Sequence, residues 1–200
     1  MGLPVIIADY DPAWPTHYRR THDALSAATE GYVTRIEHIG STSVSGLAAK
    51  PIIDVMLGVD DARLLDVSAE ETSATCGPRG VEPAGLDPHV ELVRAITSLG
   101  YIYLGFHGLT DRLYLRCYVE EPGVHIHMVE RTSAFWRRHV LFRDYLRAHA
   151  DEAHAYARIK RELATQYPND RDGYTDAKTN FITTRERRAE AWHAREGGHA

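Results

Sequence analysis

Cysteine is nearly absent. Two residues in 200, Cys76 and Cys117, exclude a disulfide framework and a four-cysteine zinc site by count alone, which fits a reducing cytoplasm. No apolar run approaches the ~18 residues of a membrane span. The N-terminus, MGLPVIIADYDP, has no basic stretch ahead of its short apolar run, so no secretory leader and no membrane partner is expected. Internal repeats and low-complexity linkers are missing too. So is a basic body: 28 acids against 23 bases give a net charge of −5, which weighs against nucleic acid as a partner. A small anionic ligand needs only a local basic cleft. Lysine is the most telling scarcity, since 20 of the 23 basic residues are Arg and only Lys50, Lys160 and Lys178 remain. In a chain whose Ala and Arg richness fits a GC-biased genome, each surviving Lys is a candidate for a position that needs a compact point charge.

What is present predicts one domain over 1–200, of the α+β class: a mixed sheet over 1–131, then a helical region over 132–200. Residues 4–9 (PVIIAD) read as a first strand. Asp11-Pro12 reads as a cap with proline at the first position of a helix running to about Ala28. Residues 32–39 alternate as a strand does. The segment GSTSVSGLAAK holds six Gly, Ser or Thr in eleven and reads as a loop. The almost continuously apolar run 51–59 belongs at the centre of a sheet. A short helical pattern follows from Asp60. Residues 72–88, with three prolines and three glycines, read as an insertion. A helix is expected near 88–98, then a hairpin of 112–119 with 124–130 around EEPG, then three helical segments broken near 150 and at Tyr167-Pro168-Asn169.

Parity sorts the hairpin into two faces. With a four-residue turn, Val119 opposes Val124, Tyr118 opposes His125 and Arg116 opposes His127. Leu113, Leu115, Cys117, Val119, Val124, Ile126 and Met128 form an apolar face. Arg112, Tyr114, Arg116, Tyr118, His125 and His127 form a polar one, either a solvated sheet face or a cleft floor on which two His at i and i+2 share a metal or a phosphate. Asp54 is the lone ionisable group of its apolar strand. It requires a paired cation, a metal or an opening to a cleft. Lys50 shares its face, and Ser41, Thr42 and Ser43 precede it with hydroxyls and N–H groups suited to an anion. His38 either points at the same ligand or is a core residue. On the C-terminal helices, Tyr156, Lys160, Leu163 and Tyr167 fall on one stripe and Tyr174, Lys178 and Phe181 on another. Each lysine either snorkels past its Tyr to solvent or reaches a polyanion between helices and sheet. Arg143 either joins that site or pairs with Asp144. The remaining histidines, His139 among them, lack ligand spacing, and the tail ERRAEAWHAREGG reads as a charged helix end without chemistry.

The segment EHIGSTSVSGLAAKPIIDVMLGV resembles the signature of the GrpB family. YDPAW, HIH at 125–127, FRDYLR at 142–147, YARIK and YTDAK agree with it. The resemblance spans nearly the whole chain except 72–88. That family is similar to the nucleotidyltransferase superfamily, so the resemblance implies a nucleotidyltransferase-like fold, Mg2+ or Mn2+, and ATP or another nucleoside triphosphate as substrate. It also implies transfer of a nucleotidyl group to a small-molecule acceptor. Gly40 and Ser41 match the superfamily's Gly-Ser loop and Asp54 its first acid. The second acid is replaced by Met56, a poor ligand for a hard cation. The expected site is therefore Asp54 as catalytic residue; Gly40, Ser41, Thr42, Lys50, Arg116, Arg143, Lys160 and Lys178 as nucleotide and phosphate ligands; and Asp54, His125 and His127 as metal ligands. Two alternatives stand beside it: a non-catalytic nucleotide- or CoA-binding accessory module, the family also occurring fused to dephospho-CoA kinase, and a metal-dependent ligase or hydrolase built on Asp54 with His125 and His127.

Overall fold

The structure, a computed structural model, describes residues 4–66, 87–108, 111–119 and 121–196. Five helices and five strands follow in order: α1 (Trp14–Ala28), β1 (Arg35–Ile39), β2 (Ile52–Val59), α2 (Pro88–Thr97), β3 (Ile102–Tyr103), β4 (Leu113–Cys117), β5 (Gly123–Glu130), α3 (Ala134–Ala148), α4 (Ala150–Gln166) and α5 (Arg171–Arg195). The sheet order is β1-β2-β5-β4-β3. Only β2 and β5 pair in parallel. A mixed sheet with a helical C-terminal part is thus what forms, and both expected helix breaks fall where the sequence placed them. No helix among the described residues is long and apolar enough to cross a membrane.

The apolar run 51–59 becomes β2 because both of its faces are covered. Ile53, Val55, Leu57 and Val59 meet Trp14 and Leu25 of α1 and Leu92 and Ile96 of α2, together with Leu113, Leu115, Ile126 and Met128 from the neighbouring strands. Burial of that layer is the main stabilisation of the fold, worth ~25 cal/mol for each Å² of apolar surface removed from water. On the opposite face α3 brings Phe135 onto Ile39, Met56 and Val129. A ring of Trp136 fits there only because residue 58 is Gly; a Cβ at 58 would lie 2.7 Å from it. Helices α3, α4 and α5 pack on one another through Leu141, Tyr145, Tyr156 and Phe181. Caps fix where helices start: Asp87 accepts from His89 N–H, Ser133 from Trp136 N–H, and Asp170 from Gly173 N–H.

Four expectations are corrected. Residues 4–9 make one bridge, Ala8 with Ala49, rather than a strand, and Ile6 is 61% exposed. Asp11 does cap, accepting from Ala13 N–H at 2.8 Å, but the helix begins at Trp14 with Pro15 in its first turn. The described part of the helical pattern after Asp60 holds a 3-10 turn, Ala62–Leu65, and its remainder from residue 67 on lies outside the described residues. The hairpin register is slipped by two: Cys117 pairs with Val124, Arg116 with His125 and Tyr114 with His127. Gly123 is not a turn residue but the first of β5, held by its N–H to Pro51 O at 3.1 Å and paired with Ile52. Docking on β2 therefore sets where β5 starts, and the connection lengthens to five residues, 118–122. A slip of two keeps the facing of the paired residues, so the polar floor survives while Val119 leaves the core and is 86% exposed. Most of the expected insertion at 72–88 lies outside the described residues.

Candidate functional site

Asp54, His125 and His127 lie on the face of the sheet turned to α3, α4 and α5, and a cavity of about 390 Å³ remains between them. That volume lies in the range of small-molecule sites. Gly40, Ser41, Thr42, Lys50, Asp54, His125, His127, Arg143, Lys160 and Lys178 all line it. Arg116 does not: its guanidinium lies 5.4 Å from the Tyr118 ring, outside the wall.

The loop comes first. Gly40 sits at φ +70°, and a Cβ there would overlap the Asp54 carboxylate, so only Gly lets this backbone lie against Oδ2. Thr42 donates its hydroxyl to Ile52 O at 3.0 Å and meets His38 Nε2 at 3.1 Å, and Ser43 donates to Gly40 O at 2.6 Å. Those two hydroxyls brace the loop. His38 is a core residue, stacked on Tyr18 of α1 with burial driving its pKa to about 4. Ser41 alone keeps its hydroxyl toward the cavity, where Lys160 donates to it at 2.9 Å.

The carboxylate of Asp54 keeps 27% of its side chain exposed and faces His125 Nδ1 at 3.4 Å and His127 Nε2 at 3.7 Å. Burial works against its charge, but the two imidazoles outweigh it and hold Asp54 well below the usual carboxylate range. Burial also lowers His127 in spite of Asp54, which favours the neutral ring. Its tautomer follows from Arg112, whose NH1 lies 3.2 Å from His127 Nδ1. A guanidinium only donates, so Nδ1 accepts and Nε2 carries the hydrogen toward Asp54. His125 is joined at Nε2 by the Tyr118 hydroxyl at 2.5 Å.

This network answers the metal expectation. A metal on His127 Nε2 would force a hydrogen onto Nδ1, against the Arg112 donor. Met56 is fully buried where a second acid would stand. Among the described residues no group of three or more His, Cys, Asp or Glu is disposed to hold a metal ion. These residues do not fit a resident metal centre.

The three lysines converge, but they are not equivalent. No carboxylate stands within 4 Å of any of them among the described residues. Lys50 and Lys178 share one ring, with ammonium groups 5.3 and 4.4 Å from the Tyr174 centroid. Lys160 is 3% exposed and donates to Ala48 O at 2.5 Å as well as to Ser41, with the Tyr156 ring 4.4 Å away. Burial, with neighbouring lysines adding to it, lowers Lys178 to about 8 and Lys160 to about 7, and burial with Arg171 shifts Lys50 the same way. Arg143 is occupied: it donates to Glu37 at 2.6 Å, His38 O at 3.1 Å and Asp144 at 2.7 Å. Through Glu37 and His38 O it ties α3 to β1.

Two lining residues escaped the sequence reading. His139 donates Nδ1–H to Phe135 O at 2.8 Å and lines the cavity. Glu186, placed in a tail without chemistry, lines it too, beside Arg138 at 3.3 Å. Extending the Tyr174, Lys178 stripe by +4 steps through Ile182 reaches Glu186, and that was the available signal.

Comparison with known proteins agrees over the whole fold. A family model described as GrpB protein matches residues 4–75 and 81–188. The UPF0157 protein SCO7215 of Streptomyces coelicolor is 36% identical over 196 residues, covering 95% of this chain and 87% of that one. A crystal structure of the conserved protein GrpB from Enterococcus faecalis is similar with a TM-score of 0.72 at 31% identity, covering 94% of this chain and 99% of that one. A dephospho-CoA kinase of Mycolicibacterium paratuberculosis is 28% identical over 194 residues, 94% of this chain but 47% of that protein.

Proposed function

The chain belongs to the GrpB family, and we propose that its cavity binds the phosphates of a nucleoside triphosphate and transfers the nucleotidyl group to a small-molecule acceptor. One observation carries the reading: Lys50 and Lys178 flank a single Tyr ring on the cavity wall with no acid paired to either among the described residues. Two desolvated ammonium groups left uncompensated are unfavourable unless an anion joins them. A phosphate chain supplies that charge, and lysine binds it as a point charge. In phosphoryl chemistry the protein mostly positions groups and neutralises charge. Lys50 and Lys178 would stabilise the departing pyrophosphate, and Asp54, ionised and held by two imidazoles, would accept a hydrogen bond from the acceptor hydroxyl.

Calorimetric titration with ATP, GTP and CTP, each accompanied by Mg2+ or Mn2+, tests the binding half. Native protein binds at least one of them, and Lys178→Met weakens it by about 10–100-fold, the worth of one charge-assisted contact. Binding of none removes the reading. Asp54→Ala keeps the binding and loses transfer of the nucleotidyl group across an acceptor panel.

A second reading is an accessory module that binds without turnover, favoured by Met56 in the place of an acid. CoA and dephospho-CoA, the latter named in the kinase relative, belong in its ligand panel because both carry phosphates. Binding without pyrophosphate release from any acceptor selects it.

A further inference from the structure

Of the three hydroxyls in the loop at 41–43, two are committed to backbone carbonyls, Thr42 to Ile52 O and Ser43 to Gly40 O. Ser41 is the exception: its hydroxyl meets the Lys160 amine, with the Tyr156 hydroxyl beside it. Lys160 Nζ lies 2.9 Å from Ser41 Oγ. All directions around that nitrogen are taken, by Ser41, by Ala48 O and by the face of Tyr156. None is left for a ligand phosphate, unlike Lys50 and Lys178. Lys160 is therefore built to act on Ser41.

The charges around it favour the free amine. Lys50 and Lys178 stand across the cavity and Arg161 follows on α4, all of them positive, and burial at 3% exposure acts in the same sense, leaving Lys160 near 7. In the amine form the contact reverses: Ser41 O–H donates to the Nζ lone pair, while one N–H still reaches Ala48 O. A serine hydroxyl hydrogen-bonded to a neutral, desolvated amine is an activated nucleophile.

We propose that Ser41 is a nucleophile and Lys160 its general base, so that transfer passes through a covalent phosphoester on Ser41. The substrate class, a phosphoric anhydride held by Lys50 and Lys178, rests on the function proposed above; the Ser41–Lys160 pair itself does not. In the first step Oγ attacks phosphorus, the P–Oγ bond forms, the bond from phosphorus to pyrophosphate oxygen breaks with its electron pair, and the Oγ proton moves to Nζ. In the second, the acceptor oxygen attacks the same phosphorus and loses its proton to solvent. Ser41 Oγ departs and recovers its proton from Lys160. Both residues end as they began.

The test uses a neutral fluorophosphonate, which needs no lysine to bind, on the full chain from pH 6 to 9, with the adduct mapped by peptide mass. The expected result is one adduct, on Ser41, formed faster as pH rises through about 7, where Lys160 loses its proton. Lys160→Arg keeps a cation at the site but cannot act as a base, and labelling falls by at least about 100-fold, the lower bound for general-base assistance. If Lys160→Arg does not fold, the native profile still decides. Absence of a Ser41 adduct, a rate flat with pH, or unchanged labelling in folded Lys160→Arg overturns the proposal. Nucleotide titration separates the two readings. Labelling at Ser41 without nucleotide binding removes the proposed function and leaves the nucleophile; binding with an inert Ser41 does the reverse.

Discussion

Binding of a polyphosphate should take up protons, and the number taken up distinguishes the roles of the lysines. Lys178 sits near pKa 8 in the empty cavity because burial and Lys50 both disfavour its charge. An anion placed against it raises that value toward or beyond the ordinary 10.4, so the complex holds a proton that the free protein partly lacks. At pH 8 about half of Lys178 is unprotonated, and at pH 9 about nine-tenths. The share of Lys178 is therefore about 0.5 proton at pH 8 and about 0.9 at pH 9, falling to nearly zero at pH 6. Lys160 has a pKa near 7 and would add about 0.9 at pH 8 if it also turned to the ligand. Held on Ser41 and Ala48, it should not. Calorimetry with pyrophosphate or ATP in two buffers of different ionisation enthalpy reads the uptake directly. Lys178→Arg, always charged, binds but loses that share, so the difference between the two proteins isolates it. The sign is fixed: affinity falls as pH rises above 8, because the unbound state then releases the proton that binding requires. Zero uptake at pH 8–9 refutes the placement of the lysines. Uptake at pH 8 that stays near 0.9 proton in a Lys50→Arg, Lys178→Arg double variant refutes the assignment of Lys160 to Ser41.

Gly40→Ala should cost about 1–3 kcal/mol from the left-handed backbone alone, and more from the overlap with Asp54; denaturant unfolding and nucleotide titration should both show the loss. Arg116→Ala should leave nucleotide affinity within about twofold, since one surface contact is worth little and the side chain lies outside the cavity. Arg143→Met should instead lower stability by about 3–5 kcal/mol, as breaking a buried pair does, because Glu37 and Asp144 lose their cation; an unfolding midpoint equal to the native one contradicts that role.

The elements and their faces were legible because they depend on local pattern. The apolar run at 51–59, the helix breaks near 150 and at 167–169 and the Tyr-Lys stripes on two helices all follow from local signals that neighbouring residues impose on one another. Composition alone singled out three lysines, and all three line one cavity. Register was not legible, because β5 is positioned by β2, a partner distant in sequence, rather than by its own turn.

Partner choice was the other thing sequence could not decide. Arg143 and Lys160 are both inward cations on amphipathic helices, yet one is neutralised by Glu37 and Asp144 and the other is left beside a hydroxyl. Glu37 and Ser41 lie more than a hundred residues from those cations in the chain. The sequence determined that charges would be buried on these faces. Which of them stay free to meet a ligand was decided only by the packing of α3 and α4 on the sheet, since desolvation and pairing act over a few ångströms of space and not along the chain.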